Sequence, residues 1–239
     1  MSSDADRAES GAEAIAELDA ITRRLRRECP WDRAQDERSI VPHTVEEAYE
    51  LADAAASGDD AKLLDELGDV LFQVHFLSLL LEERGAGDLS RVAANTTAKL
   101  IRRHPHVFGE VEVDGTEDVR ANWDRIKRDQ EGRGAEGPFA DVPENLPGLL
   151  YARKLQRRAA SAGLPGPAAD RDEAIDRLRA AAEAVADAPP TADPEKADPA
   201  DRAAAEEAIG RLLLAAVDVA RVARVDPELA VRAAADGLR

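Results

Sequence analysis

Two acidic clusters, each about one helical turn wide, stand close together in this chain: Glu46, Glu47 and Glu50, then Glu66 and Asp69. Residues three or four apart share a helix face, so each cluster can converge on one side of its helix. Between them, Ser57-Gly58-Asp59-Asp60 supplies a helix stop followed by N-cap residues, the signature of a helical hairpin. Packed antiparallel, such a hairpin brings all of these carboxylates together. Crowded carboxylates repel, and a hard divalent cation that takes oxygen ligands, Mg2+ or Mn2+, neutralises them. Two solvated acidic faces would share the same spacing, because 49 of the 239 residues are Asp or Glu. Spacing alone leaves both readings open.

A second group of chemically able residues is basic. Lys99, Arg102 and Arg103 lie at i, i+3 and i+4, where their heads can meet and hold phosphates. The same residues near a helix C-terminus also complement the macrodipole without any ligand. Trp31 and Trp123 are the only tryptophans, and each can either stack on a base or pack against neighbouring helices. His75 falls in an apolar run and reads as a core residue. His104 and His106 read as helix-end residues, since no Cys or His partner stands at metal-ligand spacing.

The elements that must position these groups are helices. Apolar residues recur at helical spacing almost throughout, and no segment alternates between hairpin turns. The pattern predicts a helix over Ala12–Arg27 and a loop from Cys29 through Pro42. The acidic hairpin follows, over His43–Ala56 and Ala61–Arg84. In its second helix, Leu63, Leu67, Val70, Leu71, Val74, Leu77 and Leu81 form a stripe expected to be core, with Glu66 and Asp69 at its margin. Further helices are expected at Leu89–Arg103, Thr116–Gln130, Pro147–Ala162, Arg171–Ala186, Ala200–Arg224 and Pro227–Gly237. Gly132–Pro138 reads as linker, and the Ala/Pro/Asp stretch 187–199 as a flexible insert.

Composition narrows the partners. A formal net charge of −17 repels a polyanion, so nucleic acid polymers are excluded while free nucleotides, met by local cations or metal, are not. Cys29 is the single cysteine, which rules out an intrachain disulfide and fits a reducing, cytoplasmic setting. The residues Met1–Gly11 lack the pattern of a signal peptide, and the longest apolar stretch, Val70–Leu81, is too short to span a bilayer. A soluble protein without membrane partners is expected.

Taken in order, these residues resemble the MazG family of all-α nucleoside triphosphate pyrophosphohydrolases, over about Ile15–Asp129. The likeness rests on Cys29-Pro30-Trp31-Asp32 with Gln35, on Glu46-Glu47-Ala48-Tyr49-Glu50 and on Asp65-Glu66-Leu67-Gly68-Asp69. It continues through Lys99-Leu100-Ile101-Arg102-Arg103-His104-Pro105-His106-Val107-Phe108-Gly109 to Trp123 and Lys127. The resemblance implies hydrolysis of an NTP or dNTP to monophosphate and pyrophosphate, with Mg2+ (or Mn2+) on Glu47, Glu50, Glu66 and Asp69. It places Glu46 in the site to orient or deprotonate water. Lys99 and Arg103 match phosphate-contacting positions, with Arg102 beside them. Trp123 matches a nucleotide-contacting residue, and Trp31 is taken as a further substrate-binding residue. Gln35-Asp36-Glu37-Arg38-Ser39-Ile40 departs from the family's usual Gln-Thr-His-x-Ser-Leu, and His43 stands where Tyr is usual. Base or sugar preference is therefore expected to differ.

The resemblance also implies two tandem domains: a catalytic region at 12–131, a linker at 132–145, and a degenerate, non-catalytic helical repeat at 146–239. In the second copy, Glu206-Glu207-Ala208-Ile209-Gly210-Arg211 resembles the second acidic helix, with Ala208 and Arg211 where Glu66 and Asp69 stand in the first. Asp176-Arg177-x-x-Ala180 falls where the first cluster would be. The expected architecture is thus a helical-hairpin bundle of the MazG type with a decayed repeat. A hairpin with one apolar stripe needs a cover, so a homodimer is expected. The reading from a different class is a non-catalytic helical regulator that binds nucleotide or a protein through the same surface.

Overall fold

The computed structural model describes residues 4–129, 137–140, 142–188 and 198–238, and among these every regular element is helical. They divide into two compact units, Met1–Gly109 and Glu110–Arg239. The first holds α1 (Asp4–Glu28), α2 (Pro30–Ala34), α3 (Glu37–Ser57), α4 (Asp60–Glu83), α5 (Leu89–Arg103) and α6 (Pro105–Phe108). The second holds α7 (Thr116–Asp129), α8 (Gly148–Ser161), α9 (Arg171–Asp187), α10 (Pro199–Val222) and α11 (Pro227–Asp236).

The stretch expected as a loop before the acidic hairpin is largely helical. Pro30 occupies the first turn of α2, where its missing N–H costs nothing. At the start of α3, Asp36 accepts the Ser39 N–H at 2.9 Å and Ser39 Oγ accepts the Asp36 N–H at 2.9 Å, a reciprocal capping box. That start outweighs Pro42, which deletes a single backbone donor in the second turn. The hairpin turn is as the sequence predicts. Gly58 ends α3 at φ 70°, in the left-handed region that suits glycine, and Asp59 accepts the N–H groups of Ala61 and Lys62 at 3.0 and 3.3 Å.

Along the hairpin the contact seam runs in layers, positions rising on α3 as they fall on α4. Ile40 packs with Phe76 and Leu80, and Phe72 and Leu77 close around them. One layer on, Thr44 Oγ1 donates to Gln73 Oε1 at 3.5 Å. The next layer is acidic.

The stripe expected to be core is so only in part: Leu63, Val70, Leu77 and Leu81 are half-buried, and Leu77 packs on the core. Leu67, Leu71 and Val74 are exposed, at 49, 36 and 39%, and the buried face of α4 is instead Gln73, His75, Phe76, Ser78, Leu79 and Leu80. The reason is that α4 carries apolar residues on two faces, and a helix hydrophobic nearly all round offers no periodicity from which the core face can be chosen. His75 is core, as expected, at 2% exposure.

Arginines on α1 clamp this unit. Arg23 donates to both oxygens of Glu82 at 2.8 and 2.6 Å and to Asp19 at 2.7 Å. Arg26 forks onto Glu83 at 2.8 Å on each oxygen, and its remaining nitrogen reaches the carbonyls of Asp32 and of Gln35, the latter at 3.0 Å. Its guanidinium also lies 5.8 Å from the centroid of the buried Phe76 ring. These contacts order the chain from Asp32 to Gln35 from beneath. At the far end of the unit, Gly109 closes α6 where a Cβ would come within 2.9 Å of the Pro105 carbonyl oxygen, so a side chain does not fit.

The second unit is built around the α9–α10 pair, with α8 and α11 against α10. Val217 and Ala174 are its most buried residues. Asp218, 4% exposed, is satisfied by the Ala168 N–H at 2.7 Å and Arg221 Nε at 2.6 Å, while Arg221 also donates to the Ala168 carbonyl. Most of the flexible insert expected at 187–199, and most of the linker expected at Gly132–Pro138, lie outside the described residues.

Candidate functional site

Glu47 on α3 meets Glu66 and Asp69 on α4, with one carboxylate oxygen from each lying within 4.8 Å of the others. They occupy the hairpin seam one layer beyond Thr44 and Gln73, which explains their chemistry. The helix–helix contact half-buries Glu47 and Glu66 while neighbouring carboxylates crowd them. Desolvation is the first cause that pushes the Glu47 carboxyl above its ordinary range, followed by the charges of Asp69, Glu50, Glu66 and Glu46. Glu66 is raised likewise, by desolvation and then by Glu50, Asp69 and Asp65.

The residues fit a cation. Glu66 Oε2 is buried with no hydrogen-bond partner among the described residues, an orphaned acceptor on a member of this acidic cluster. Oxygens on opposite sides of an octahedral Mg2+ stand ~4.2 Å apart. The three carboxylates are therefore a small side-chain adjustment away from sharing one ion. Glu50 is exposed and outside this trio, yet its charge acts on both Glu47 and Glu66.

Glu46 also stands outside the trio, though its charge acts on Glu47. Its Oε2 is 3.7 Å from His43 Nδ1 and its side chain is 66% exposed. His43 was not among the residues that spacing singled out. It occupies the same face of α3 as Glu46, Glu47 and Glu50, and that periodicity was the signal available for it. Trp31 meets His43 edge-on, with ring centroids 6.1 Å apart.

The basic trio on α5 is split by burial. Arg103 is buried and Lys99 half-buried, whereas Arg102 is exposed. His104 closes α5 through Nδ1, 2.7 Å from the Leu100 carbonyl, with the His106 ring 5.6 Å from its own. That is the helix-end role the sequence suggests. Trp123 is half-buried on α7, in the second unit, and the Lys127 side chain lies outside the described set.

Fold and cluster together define an all-α helical-hairpin protein with a carboxylate-lined site able to hold a cation. Comparison with known proteins narrows this class. Residues 35–108 match the model of the MazG nucleotide pyrophosphohydrolase domain. A nucleoside triphosphate pyrophosphohydrolase of Escherichia coli strain K12 is 36% identical over 230 residues, covering 92% of this chain and 82% of that protein. A protein of Thermotoga maritima named nucleoside triphosphate pyrophosphohydrolase/pyrophosphatase MazG is 34% identical over 222 residues, 91% of this chain and 80% of its own. One of Mycobacterium tuberculosis, also named nucleoside triphosphate pyrophosphohydrolase, is 34% identical over 164 residues, covering 68% and 48%. The chain belongs to the MazG family of nucleotide pyrophosphohydrolases and is a hydrolase.

Proposed function

We propose that this protein hydrolyses nucleoside triphosphates, ribo or deoxy, to the monophosphate and pyrophosphate with Mg2+, and so cleans the nucleotide pool. The observation that carries the reading is the convergence of Glu47, Glu66 and Asp69 carboxylate oxygens within 4.8 Å of one another. Glu47, Glu50, Glu66 and Asp69 would hold the ion, with Mn2+ as an alternative. Bound there, Mg2+ supplies charge for the phosphates and a lowered pKa for water. Lys99 and Arg103, on the inward side of α5, bind phosphate oxygens, and Arg102 lends charge from outside. Glu46 takes a proton from the water whose oxygen forms the new bond to the α-phosphorus, as the bond from that phosphorus to the bridging oxygen breaks and pyrophosphate leaves.

Exposed apolar residues on α4 support a homodimer. Leu64, Leu67, Leu71 and Val74 repeat at i, i+3, i+7 and i+10, the spacing of a helix–helix seam, and are exposed on the first unit. The second half is proposed to be catalytically silent. Ala208 is buried where Glu66 stands in the first half, and Arg211 is paired with Glu207. Among the described residues, Glu47, Glu66 and Asp69 are the one carboxylate group of metal-binding geometry.

The test is pyrophosphate release from a panel of NTPs, dNTPs and oxidised dNTPs with Mg2+, beside Glu50→Gln. Release by the wild type and its loss in the variant is expected. In labelled water the label should enter the monophosphate, and label found only in pyrophosphate would refute attack at the α-phosphorus. A folded protein that releases pyrophosphate from none of these would instead favour the regulator reading.

A further inference from the structure

We infer that Thr44 and Gln73 are positioning residues of the carboxylate site, their contact fixing the helix register that sets Glu47 opposite Glu66 and Asp69; the inference rests on the metal reading above. The α3–α4 seam has heptad spacing. Ile40, Thr44 and Glu47 follow at steps of four and three on α3, and Glu66, Asp69, Gln73, Phe76 and Leu80 at alternating steps of three and four on α4. At one end of this run Ile40 packs with Phe76 and Leu80, and at the other the carboxylates meet. Thr44 and Gln73 form the layer between, the neutral polar pair of the run. Gln73 is 6% exposed, and Thr44 Oγ1 lies 3.5 Å from its Oε1 and 3.3 Å from the Ile40 carbonyl.

A polar pair in such a seam costs stability relative to two aliphatic side chains, and what it secures is register. Apolar contacts are non-directional and tolerate sliding, whereas a hydroxyl that must meet an amide oxygen does not. Register matters most one layer further on. Thr44 is three residues before Glu47, ~4.5 Å along α3, and Gln73 is four after Asp69, ~6 Å along α4. A slip of one helix past the other at this layer therefore reaches the carboxylates undiminished. Their oxygens lie within 4.8 Å of one another, against the ~4.2 Å that spans an octahedral Mg2+. Ca2+ takes bonds of about 2.3–2.6 Å in flexible geometry and accepts a wider, looser set of ligands. Holding the register thus serves the preference for Mg2+ over Ca2+ as well as affinity.

The experiment titrates the full chain with Mg2+ and separately with Ca2+, without nucleotide, by calorimetry, and records melting in EDTA by circular dichroism. Thr44→Val, Gln73→Leu and the double variant make the layer aliphatic, and Thr44→Ser keeps the hydroxyl. Each of the two single aliphatic variants should raise the Kd for Mg2+ roughly tenfold, the low end for residues that orient metal ligands. The Kd for Ca2+ should stay within about threefold, given its looser geometry. The double variant should lose no more than the worse single one, because both remove the same contact. Thr44→Ser should stay within about twofold of wild type, since its donor remains. In EDTA the double variant should melt at or above wild type. A role in folding alone would instead lower that melting temperature and leave the ratio of the two Kd values unchanged. Should Gln73→Leu fail to fold, Thr44→Val, which keeps the side-chain shape, decides the matter. Unchanged Mg2+ affinity in the folded variants, losses that multiply in the double variant, or equal weakening of Mg2+ and Ca2+ would overturn the inference. A folded wild type that binds neither ion would overturn the metal reading and this inference with it, whereas a wild type that binds Mg2+ no better than its variants would overturn this inference alone.

Discussion

Arg26→Met removes one side chain from the clamp on the first unit while keeping most of its length and apolar stem. The variant loses a forked ion pair to Glu83, two donations to the Asp32 and Gln35 carbonyls and a guanidinium over Phe76. The Glu83 end is 41% exposed, so that pair counts as a surface one, at up to about 1 kcal/mol. The carbonyl bonds to a charged donor that is itself only 16% exposed contribute more, roughly 1.5 kcal/mol each at the low end of the range. The ring contact adds ~0.5 kcal/mol. Some of this returns as water reaches the freed carbonyls, and a net cost of about 3 kcal/mol is expected. For a unit of this size the cost lowers the melting temperature by roughly 10 to 20 °C. Thermal scans by circular dichroism should rank the losses Arg26→Met, then Arg26→Lys, which keeps charge but cannot fork, then Glu83→Gln, which spares the carbonyl bonds. Arg26→Met within about 1 kcal/mol of wild type, or Glu83→Gln as damaging as Arg26→Met, would refute this account of the clamp.

Two further outcomes follow from the carboxylates. Glu66→Gln removes a desolvated charge from among like charges, so in EDTA the variant should melt above wild type while losing the rise that Mg2+ gives the wild type; a lower melting temperature in EDTA would show that repulsion is not what Glu66 contributes. Glu82 and Glu83 are held below the ordinary carboxylate range chiefly by hydrogen bonds from Arg23 and Arg26. Their contribution is fully present above the unfolded value of about 4.3 and is lost as pH falls through the lowered folded values. The Glu82→Gln/Glu83→Gln double variant should therefore lose melting temperature less steeply than wild type below about pH 4, and parallel acid profiles would remove the clamp from the explanation.

Much of this was legible in the sequence because it depends on neighbours within one or two turns. The hairpin could be placed from Gly58 and Asp59, whose backbone and capping roles are local, and α5 ends as expected at Arg103. The acidic residues could be put on two facing stripes for the same reason. The loop expected from Cys29 to Pro42 gives way to helix through a feature that is also local, since the Asp36–Ser39 capping box starts α3 ahead of Pro42. The core face of α4 was harder. Leu67, Leu71 and Val74 are as apolar as Phe76 and Leu80, and only the positions of α1 and α3 decide which of the two faces is covered.

By itself, then, the sequence determined the all-helical class, the turn between the acidic helices and the set of groups available for chemistry, because periodicity and capping are short-range. Tertiary structure alone decided that Glu47, Glu66 and Asp69 share a point, and that Arg26 orders the turn from which Trp31 projects. Those facts depend on the register of one helix against another and on donors reaching across nine residues or more than fifty. No repeat within a single helix encodes them; they emerge when the seam of α3 and α4 packs Ile40 against Phe76 and leaves the carboxylates one layer beyond the Thr44–Gln73 contact.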